Sequence, residues 1–419
     1  MKLTREEEAM ALGNRGPGLE KCMSILIKMG EVYDAEKMVP ITSAHTMPKE
    51  PPQLLREVTE GVRQMPVFTS LHPMMSAFDP DKWEAMDIPR EFAQNELEEY
   101  QQRTQVYERI GMYQTYTCLP MLIGNLPRQG DYISWIGSGA QIMANSLIGA
   151  RTNRDGTMVN LAIALTGRAP CMGLYLNENR LGQVLVSLND LNPGTMSDAD
   201  FGAVGYYVGE IAQNRNVVID GFPRGLTFDK LKYLMAPLST SGSVSICHIV
   251  GLTPESPTLQ AAFGGRKPSE RIVVGPEQLD LTKGKFASGG TREVDMVILG
   301  CPHVTASEFK EIATLLHGQK IGDNQRLWIG MPYQAYALVK TMGYTDIVEK
   351  AGGIVTRSCM ATIPDSPIPN GVSTVATNSF KAAHYIAQLT KGRVNTLVGS
   401  LANCIDASLT GRWKGTGAN

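Results

Sequence analysis

The residues of this chain best suited to chemistry are two arginines and an asparagine that lie close together in a polar turn. Arg151, Asn153 and Arg154 stand between two apolar segments that each have the composition of a buried helix. A guanidinium group can hold a carboxylate through two parallel hydrogen bonds, which a lysine ammonium cannot do. The turn therefore predicts a site for a planar anion, while a solvated helix–loop–helix with exposed arginines remains the alternative.

Three of the seven cysteines share one sequence context, because Cys118, Cys301 and Cys359 each follow a predicted strand. In open α/β sheets, ligands bind at the edge formed by the carboxyl ends of the strands. Three thiolates meeting there could hold iron with one coordination position open, and such an iron can act as a Lewis acid on a hydroxyl group. No Cys-x-x-Cys spacing supports this interpretation, so three unrelated buried thiols remain the alternative.

Two histidines and a serine are further candidates. Ser43 and His45 follow a predicted strand, and their side chains could face one pocket or could cap the next turn. His303 lies beside Cys301 and could be a ligand, an acid–base group or a buried structural histidine. The Gly-x-Ser-x-Gly motif of serine hydrolases is absent, as are a phosphate-binding P-loop and a dinucleotide-binding Gly-x-Gly-x-x-Gly motif.

Rigid elements must position these side chains, and apolar periodicity predicts such elements along the chain. The small residues at 137–139 predict a helix start whose free N–H groups can face a ligand, and Gly149 predicts the end of that helix. Alternating strands and helices are typical of parallel α/β domains. Strands are predicted at 38–41, 66–69, 114–117, 171–176, 183–188, 217–219, 244–250, 296–299, 327–329 and 354–355, and longer helices at 88–111, 198–213, 228–235, 307–316 and 333–342.

Composition limits the function classes. The chain has 419 residues, of which 43% are hydrophobic and 19% charged, and its formal net charge is −2. That balance gives no electrostatic basis for binding nucleic acid or an anionic membrane. No apolar run approaches membrane-spanning length, and the start of the chain does not resemble a signal peptide. Seven scattered cysteines favour a reducing cytoplasm, and the length predicts several domains, placed at 1–115, 116–265 and 266–419.

Taken in order, these segments resemble the catalytic, or large, part of the aconitase X family, a short and divergent branch of the aconitase superfamily. The resemblance covers nearly the whole chain, and many ordered motifs are more specific than any one of them. The matching motifs are Thr42–His45, Thr117–Cys118, Ala144–Gly156, Thr166–Pro170, Glu178–Arg180, Thr253–Pro257, Gly300–His303, Ser358–Met360 and 377–385.

The resemblance implies an α/β fold, an aconitase-like multi-domain arrangement of α/β/α layers around a central cleft. It also implies a hydro-lyase with an iron centre, either an iron–sulfur cluster or a mononuclear iron. Family members dehydrate cis-3-hydroxy-L-proline or mevalonate 5-phosphate, so a small hydroxy acid is the expected substrate. The family's swivel domain is expected to be absent from this chain, so a small swivel subunit carrying the catalytic serine is the expected partner.

The resemblance also assigns roles to individual residues. The metal ligands would be Cys118, Cys301 and Cys359, and the catalytic residues Ser43, His45 and His303. Substrate-binding residues would be Asn145, Ser146, Arg151, Asn153, Arg154, Asn378 and Ser379.

Several positions differ from the family pattern, and the C-terminal segment is more similar to the members that act on hydroxyproline. Met121 stands where the family has tyrosine, and Tyr175 and Asn177 where it has histidine and aspartate. Residues 137–139 replace a more acidic stretch. Because the C-terminal segment is more similar to the members that act on hydroxyproline, the expected reaction is dehydration of cis-3-hydroxy-L-proline to Δ1-pyrroline-2-carboxylate. A phosphomevalonate dehydratase large subunit and a non-catalytic scaffold homologue remain alternatives.

Overall fold

The computed structural model describes residues 1–47, 49–73, 78–286, 292–359 and 368–415. Met360 of the Ser358–Met360 motif lies outside the described residues, as do residues 416–419 at the end of the third predicted segment. The helices are α1 (Arg5–Ala11), α2 (Pro17–Val32), α3 (Pro52–Val58), α4 (Arg90–Arg109), α5 (Ser138–Met143), α6 (Thr157–Thr166), α7 (Asp198–Ala212), α8 (Phe228–Gly242), α9 (Leu259–Phe263), α10 (Pro276–Gly284), α11 (Ala306–Leu316), α12 (Tyr333–Thr341), α13 (Tyr344–Lys350), α14 (Phe380–Leu389) and α15 (Leu401–Thr410).

The strands are β1 (Met38–Pro40), β2 (Ser43–Thr46), β3 (Phe68–Leu71), β4 (Ile133–Trp135), β5 (Arg168–Pro170), β6 (Val184–Leu188), β7 (Val217–Asp220), β8 (Cys247–Ile249), β9 (Glu270–Val274), β10 (Met296–Leu299), β11 (Arg326–Gly330), β12 (Ile354–Thr356), β13 (Thr374–Thr377) and β14 (Asn395–Val398). They form four sheets within the described ranges. One sheet is an antiparallel ribbon of β1 and β5, whereas the strand pairs in the other three sheets are parallel. These three sheets have the strand orders β3-β2-β4, β8-β7-β6-β9 and β12-β11-β10-β13-β14.

Parallel sheets with intervening helices confirm the α/β fold class. Each parallel sheet contributes a buried core, since successive parallel strands need a crossover that covers a face of the sheet. In the five-stranded sheet, β10 is buried along its whole length and pairs with both β11 and β13. The domain boundaries predicted at residues 115 and 265 stay a prediction. The four-stranded sheet extends across residue 265, because β9 lies after that residue and pairs with β6, which lies before it.

Two predicted strands are wrong. Residues 114–117 run beside β3, with Tyr113 N–H donating to Thr69 O (2.9 Å) and Thr117 N–H to Leu71 O (3.0 Å), but they form no strand. The left-handed backbone of Tyr116 (φ +42°) breaks the pleat that a regular ladder requires. Residues 171–176 instead contain a short 3-10 turn at Gly173–Tyr175. Residues 171–176 are mostly apolar, and composition alone suggested a strand there.

The helix that opens the central stretch forms as expected. Gly137 is the N-cap of α5 (φ +90°), and Gly149 (φ +72°) ends the π-helical turn Ala144–Ile148 that follows it. The polar turn then leads into α6, whose N-cap is Gly156. Over the part of the chain that the structure describes, no helix is both long and apolar enough to span a bilayer.

Candidate active site

One cavity of about 290 Å³ brings together residues from distant parts of the chain. Its volume lies near the lower end of the range for small-molecule sites, about 300 to 1,000 Å³. The three candidate ligand cysteines and one of the two turn arginines line it, together with cationic, acidic and imidazole side chains. Those that matter chemically are Cys118, Cys301, Cys359, Arg154, Asp155, His72 and Lys381.

The three thiols face this cavity from different elements. Cys301 follows β10 and Cys359 follows β12, as the strand-end argument predicts, whereas Cys118 ends the irregular segment beside β3. A hydrogen bond with Cys359, together with burial, raises the pKa of Cys301 well above its ordinary value. Burial raises the pKa of Cys118 to about 11. The backbone N–H of His303 donates to Cys118 Sγ at 3.1 Å, which fixes the orientation of that side chain.

Three soft sulfur donors at one cavity suit iron, because thiolates are the ligands of iron–sulfur centres. Within the described ranges, however, no three His, Cys, Asp or Glu side chains are grouped closely enough to hold a metal ion as they stand. The thiols must lose their protons before they can bind a metal, and their raised pKa values describe the metal-free chain. By its chemistry the set of three thiols suits an iron centre, but in this structure the described side chains are not grouped as the ligands of one ion.

Lys381, in the first turn of α14, places a cation beside the thiols. Its side chain is buried and Nζ donates to Ser138 Oγ at 3.2 Å. Burial by itself would lower the pKa of Lys381, but the charge that Cys301 and its neighbours can carry raises this pKa overall. A lysine held here offsets negative charge on the thiolates or on a bound anion.

Arg154 and Asp155 give the cavity one further charge of each sign. Arg154 Nη1 donates to Ser239 O at 3.3 Å, and burial lowers the pKa of its guanidinium. Burial raises the pKa of Asp155 to about 6, and its Oδ2 has no hydrogen-bond partner in the described chain. A carboxyl group with such a pKa can change its charge close to neutral pH.

His72 is the histidine that lines the cavity. His45 and His303 are fully buried and do not line it. His45 Nε2 lies 3.1 Å from His72 Nδ1, and burial lowers the pKa of His45 to about 3. His303 Nε2 contacts Ser358 O at 3.3 Å, and burial lowers its pKa to about 4. Both buried rings are therefore neutral at ordinary pH.

The structure places the other predicted residues of the central stretch outside this cavity. Asn145 accepts from the backbone N–H of Thr152 (3.0 Å) and donates to Ser245 O (2.9 Å). Ser146 Oγ accepts from the N–H of Cys247 at 2.8 Å. Arg151 lines a second cavity, where Nη1 donates to Tyr175 O at 2.7 Å and Nη2 contacts Asn177.

Four further candidates each have a polar atom engaged with the protein itself, while Asn378 Oδ1 is buried without a partner among the described residues. Asn153 Oδ1 accepts from the N–H of Leu174 at 2.7 Å. Ser379 caps α14, and its hydroxyl donates to Cys301 O. Asn378 Nδ2 donates to Tyr233 Oη at 2.6 Å, and Ser43 Oγ to Asn125 Oδ1 at 2.6 Å. These contacts give each residue a structural role next to whatever it does for a ligand.

Sequence reasoning missed His72, Asp155 and Lys381. His72 directly follows β3, so the rule that strand ends carry ligand sites would have found it. Asp155 is adjacent to Arg154, and Lys381 lies two residues after Ser379, within motifs already singled out. Among the departures from the family pattern, Gly137 and Ser138 line the cavity, whereas Tyr175 is buried with its hydroxyl on Ile133 O (2.9 Å).

Comparison with known proteins adds independent findings. Family models described as the first, second and third domains of aconitase X match residues 1–178, 182–283 and 294–410. A cis-3-hydroxy-L-proline dehydratase of Pseudomonas aeruginosa is 33% identical over 98% of this chain and 70% of that protein. A phosphomevalonate dehydratase large subunit of Methanocaldococcus jannaschii is also 33% identical, over 94% of this chain and 97% of that protein. The crystal structure of Thermococcus kodakaraensis aconitase X (holo-form) superposes with a TM-score of 0.84 at 31% identity, covering 97% of this chain and all of that one.

Proposed function

This chain belongs to the aconitase X family, and we propose from that premise that it is the large subunit of a hydro-lyase acting on a small 3-hydroxy acid. Relatives named as dehydratases match it over nearly its whole length. The observation that carries the proposal is the cavity where Cys118, Cys301 and Cys359 meet Arg154 and Lys381. A hydroxy acid needs cations for its carboxylate and an electrophile for its hydroxyl. Arg154 and Lys381 offer the cations, and the three thiols offer ligands for a metal ion that would act as the electrophile.

The proposed substrate is cis-3-hydroxy-L-proline, and the product is Δ1-pyrroline-2-carboxylate. The substrate is a zwitterion, with a carboxylate and a secondary ammonium on the same carbon. Arg154 and Lys381 can bind the carboxylate, while Asp155 in its ionised form can accept from the ammonium. The presence of one acidic group beside two basic ones in the same cavity supports an amino acid over a dianionic ligand.

In the reaction, the proton on the carbon beside the carboxylate and the hydroxyl on the next carbon leave as water, which gives a C2=C3 enamine. Movement of a proton from the ring nitrogen to C3 then converts this enamine to the C2=N imine. An iron centre held by the three cysteines, mononuclear or a cluster, would supply Lewis acidity toward that hydroxyl. Arg154 and Lys381 would hold the carboxylate and offset the charge that grows on it as the proton leaves. Burial of the thiols and imidazoles keeps the surroundings dry, which strengthens these interactions.

The proposed partner is a small swivel subunit that brings the catalytic serine. Support comes from the relatives that are named as large subunits, including those of Methanocaldococcus jannaschii and Thermococcus kodakarensis. The described lining of the cavity contains thiols, cations, one carboxyl group and one imidazole, and its only described serine, Ser138, already accepts a hydrogen bond from Lys381. A serine from another subunit would complete the site.

A second candidate is mevalonate 5-phosphate, which the equally similar large-subunit relatives favour. A phosphate and a carboxylate together call for several cations. The described lining of the cavity contains two, Arg154 and Lys381, and Asp155 would repel a second anionic group. Arg151 lines another cavity, where its guanidinium donates a hydrogen bond to Tyr175 O.

The deciding experiment is a competition assay with the anaerobically iron-loaded complex of this chain and its small subunit. Both hydroxy acids are supplied together, and each dehydration product is quantified by mass spectrometry. We expect the cyclic imine to dominate and Arg154→Ala to raise KM for hydroxyproline. Exclusive turnover of the phosphate ester would replace the proposed substrate, and turnover that persists without metal would contradict the iron role.

A further inference from the structure

His72 stands at one end of a row of buried hydrogen bonds. We call this row the donor chain; it consists of Trp135, Ser43, Asn125, Ser70, His45 and His72, and the residues at its two ends both line the cavity. At the other end from His72, Trp135 Nε1 lies 2.8 Å from Ser43 Oγ. An indole nitrogen can only donate. Ser43 therefore accepts from Trp135, and its own proton is directed to Asn125 Oδ1 at 2.6 Å.

The orientation of the Asn125 amide follows from a neighbouring carbonyl. Its Nδ2 lies 2.9 Å from Ala44 O, and a backbone carbonyl can only accept. The nitrogen must therefore be on this side and the oxygen on the side of Ser43. The same Nδ2 lies 2.9 Å from Ser70 Oγ, so Ser70 accepts a hydrogen bond from the amide.

Ser70 has a single proton to donate and two acceptors within range. His45 Nδ1 lies at 2.8 Å, whereas Ala44 O lies at 3.5 Å. Hydrogen bonds of hydroxyl groups are strongest near 2.7–2.8 Å, so the proton belongs on the side of His45. With the Ser70 proton on this side, His45 Nδ1 accepts, and the neutral ring then carries its proton on Nε2.

The proton position on His45 determines the proton position on His72, the ring that lines the cavity. His45 Nε2 lies 3.1 Å from His72 Nδ1, so His72 accepts there and carries its own proton on Nε2. His72 lines the cavity, and its Nδ1 is engaged with His45. Nε2 is therefore the ring nitrogen left to meet a ligand in the cavity.

We propose that His72 contacts the substrate as a neutral hydrogen-bond donor, and that His45, Ser70 and Asn125 are positioning residues that hold it in the Nε2–H tautomer. Its target is an acceptor oxygen of the hydroxy acid, and this part rests on the proposed function. The tautomer itself does not. Burial, with the nearby His45 and Lys381, lowers the pKa of His72 well below its ordinary value, which keeps the ring neutral.

Two substitutions separate a donor from a base. In His72→Gln, the amide nitrogen can take the place of Nε2 and still donate, but glutamine cannot accept a proton from the substrate. We expect kcat to stay within about tenfold of wild type in His72→Gln, and to fall about 100- to 1,000-fold in His72→Leu, as when an oxyanion donor is removed. His317→Gln, on an exposed histidine, is the control. Equal large losses in His72→Gln and His72→Leu would contradict the donor role.

A spectroscopic measurement on the iron-free chain tests the tautomer without any turnover. Histidine-selective ¹⁵N labelling and two-bond ¹H–¹⁵N spectra distinguish protonated from unprotonated ring nitrogens, and His72→Gln identifies the signal. We expect a protonated Nε2 and an unprotonated Nδ1 on His72. Ser70→Ala should mix the tautomers, and Ser24→Ala, on the surface of α2, should not. A proton on Nδ1 in the wild-type chain would overturn the proposal whatever the substrate proves to be.

Discussion

At the scale of single residues, the cavity combines groups whose charges depend on one another. Lys381 is buried beside three thiols, and its positive charge lowers the pKa of His72 and His303. Asp155 lies in the same cavity and has a pKa of about 6. Every one of these groups is enclosed, so their interactions are stronger than they would be at the surface.

Asp155→Asn tests the acidic group through its pH dependence. The folded chain holds the Asp155 proton up to about pH 6, whereas the unfolded chain releases it near 3.8, so wild-type stability falls as the pH rises between these values. Above pH 6 the loss reaches at most about 3 kcal/mol. We expect Asp155→Asn to raise Tm at pH 7.5 much more than at pH 4, and to lower turnover of hydroxyproline.

Asp198→Asn is the matched control, because burial also raises the pKa of Asp198 to about 6 while this residue lies on α7, outside the cavity lining. It should show the same pH pattern in Tm with unchanged turnover. If Asp155→Asn shifted Tm equally at both pH values, folding would not raise the pKa of the Asp155 carboxyl group.

At the scale of elements, two glycines fix how chain segments approach the cavity. Gly300, between β10 and Cys301, has φ +109°, and a Cβ there would lie 2.2 Å from Gly330 O. Gly137 caps α5, and a Cβ there would lie 2.4 Å from Cε1 of His72. Cys301 and His72 therefore owe their positions to the lack of a side chain on a neighbouring segment.

Gly137→Ala should displace His72 and strain the backbone. A non-glycine residue at φ +90° costs about 1–3 kcal/mol, and the contact with the ring adds to that. We expect a lower urea midpoint and a fall in kcat. Gly156→Ala is the matched control, since it caps α6 at φ −69° with no atom within 4 Å of the added Cβ. Similar losses in both variants would mean that contact with His72 has no special importance.

At the scale of the whole molecule, the cavity exists only where separate sheets meet. Cys301 and Cys359 come from the five-stranded sheet, and His72 and Cys118 from the three-stranded sheet and the segment beside it. A metal held across these parts would stabilise their mutual arrangement, because a ligand that binds only the folded state raises its stability by mass action.

Iron binding should therefore raise Tm in a way that depends on the cavity cysteines. At ferrous ion concentrations about 100 times Kd, the gain is about 2.7 kcal/mol. Differential scanning calorimetry under anaerobic conditions should show this gain in wild type and its loss in Cys301→Ser. Cys171→Ser, at a partly exposed thiol outside the cavity lining, should respond as wild type. An undiminished iron response in Cys301→Ser would remove that residue from the ligand set.

The sequence by itself determined the fold class, most of the helices and strands, and the family resemblance. Each of these depends on local patterns, such as the glycines that begin and end the α5 segment. The sequence also singled out Cys118, Cys301 and Cys359, because each follows a predicted strand. In the structure, Cys301 and Cys359 do follow strands. The sequence could not show that Arg154 and Arg151 have different surroundings. The two arginines are only three positions apart, yet their side chains line different cavities.

Only the tertiary structure decided which polar side chains meet one another. Ser43 and His45 were singled out for a pocket, yet they lie one layer behind it and act on His72 through hydrogen bonds that span as many as 92 positions. Lys381 reaches Ser138 across 243 positions. Contacts of this range depend on how sheets pack and on burial, and burial then sets the protonation of each group. Neither quantity is a property of a local stretch of sequence.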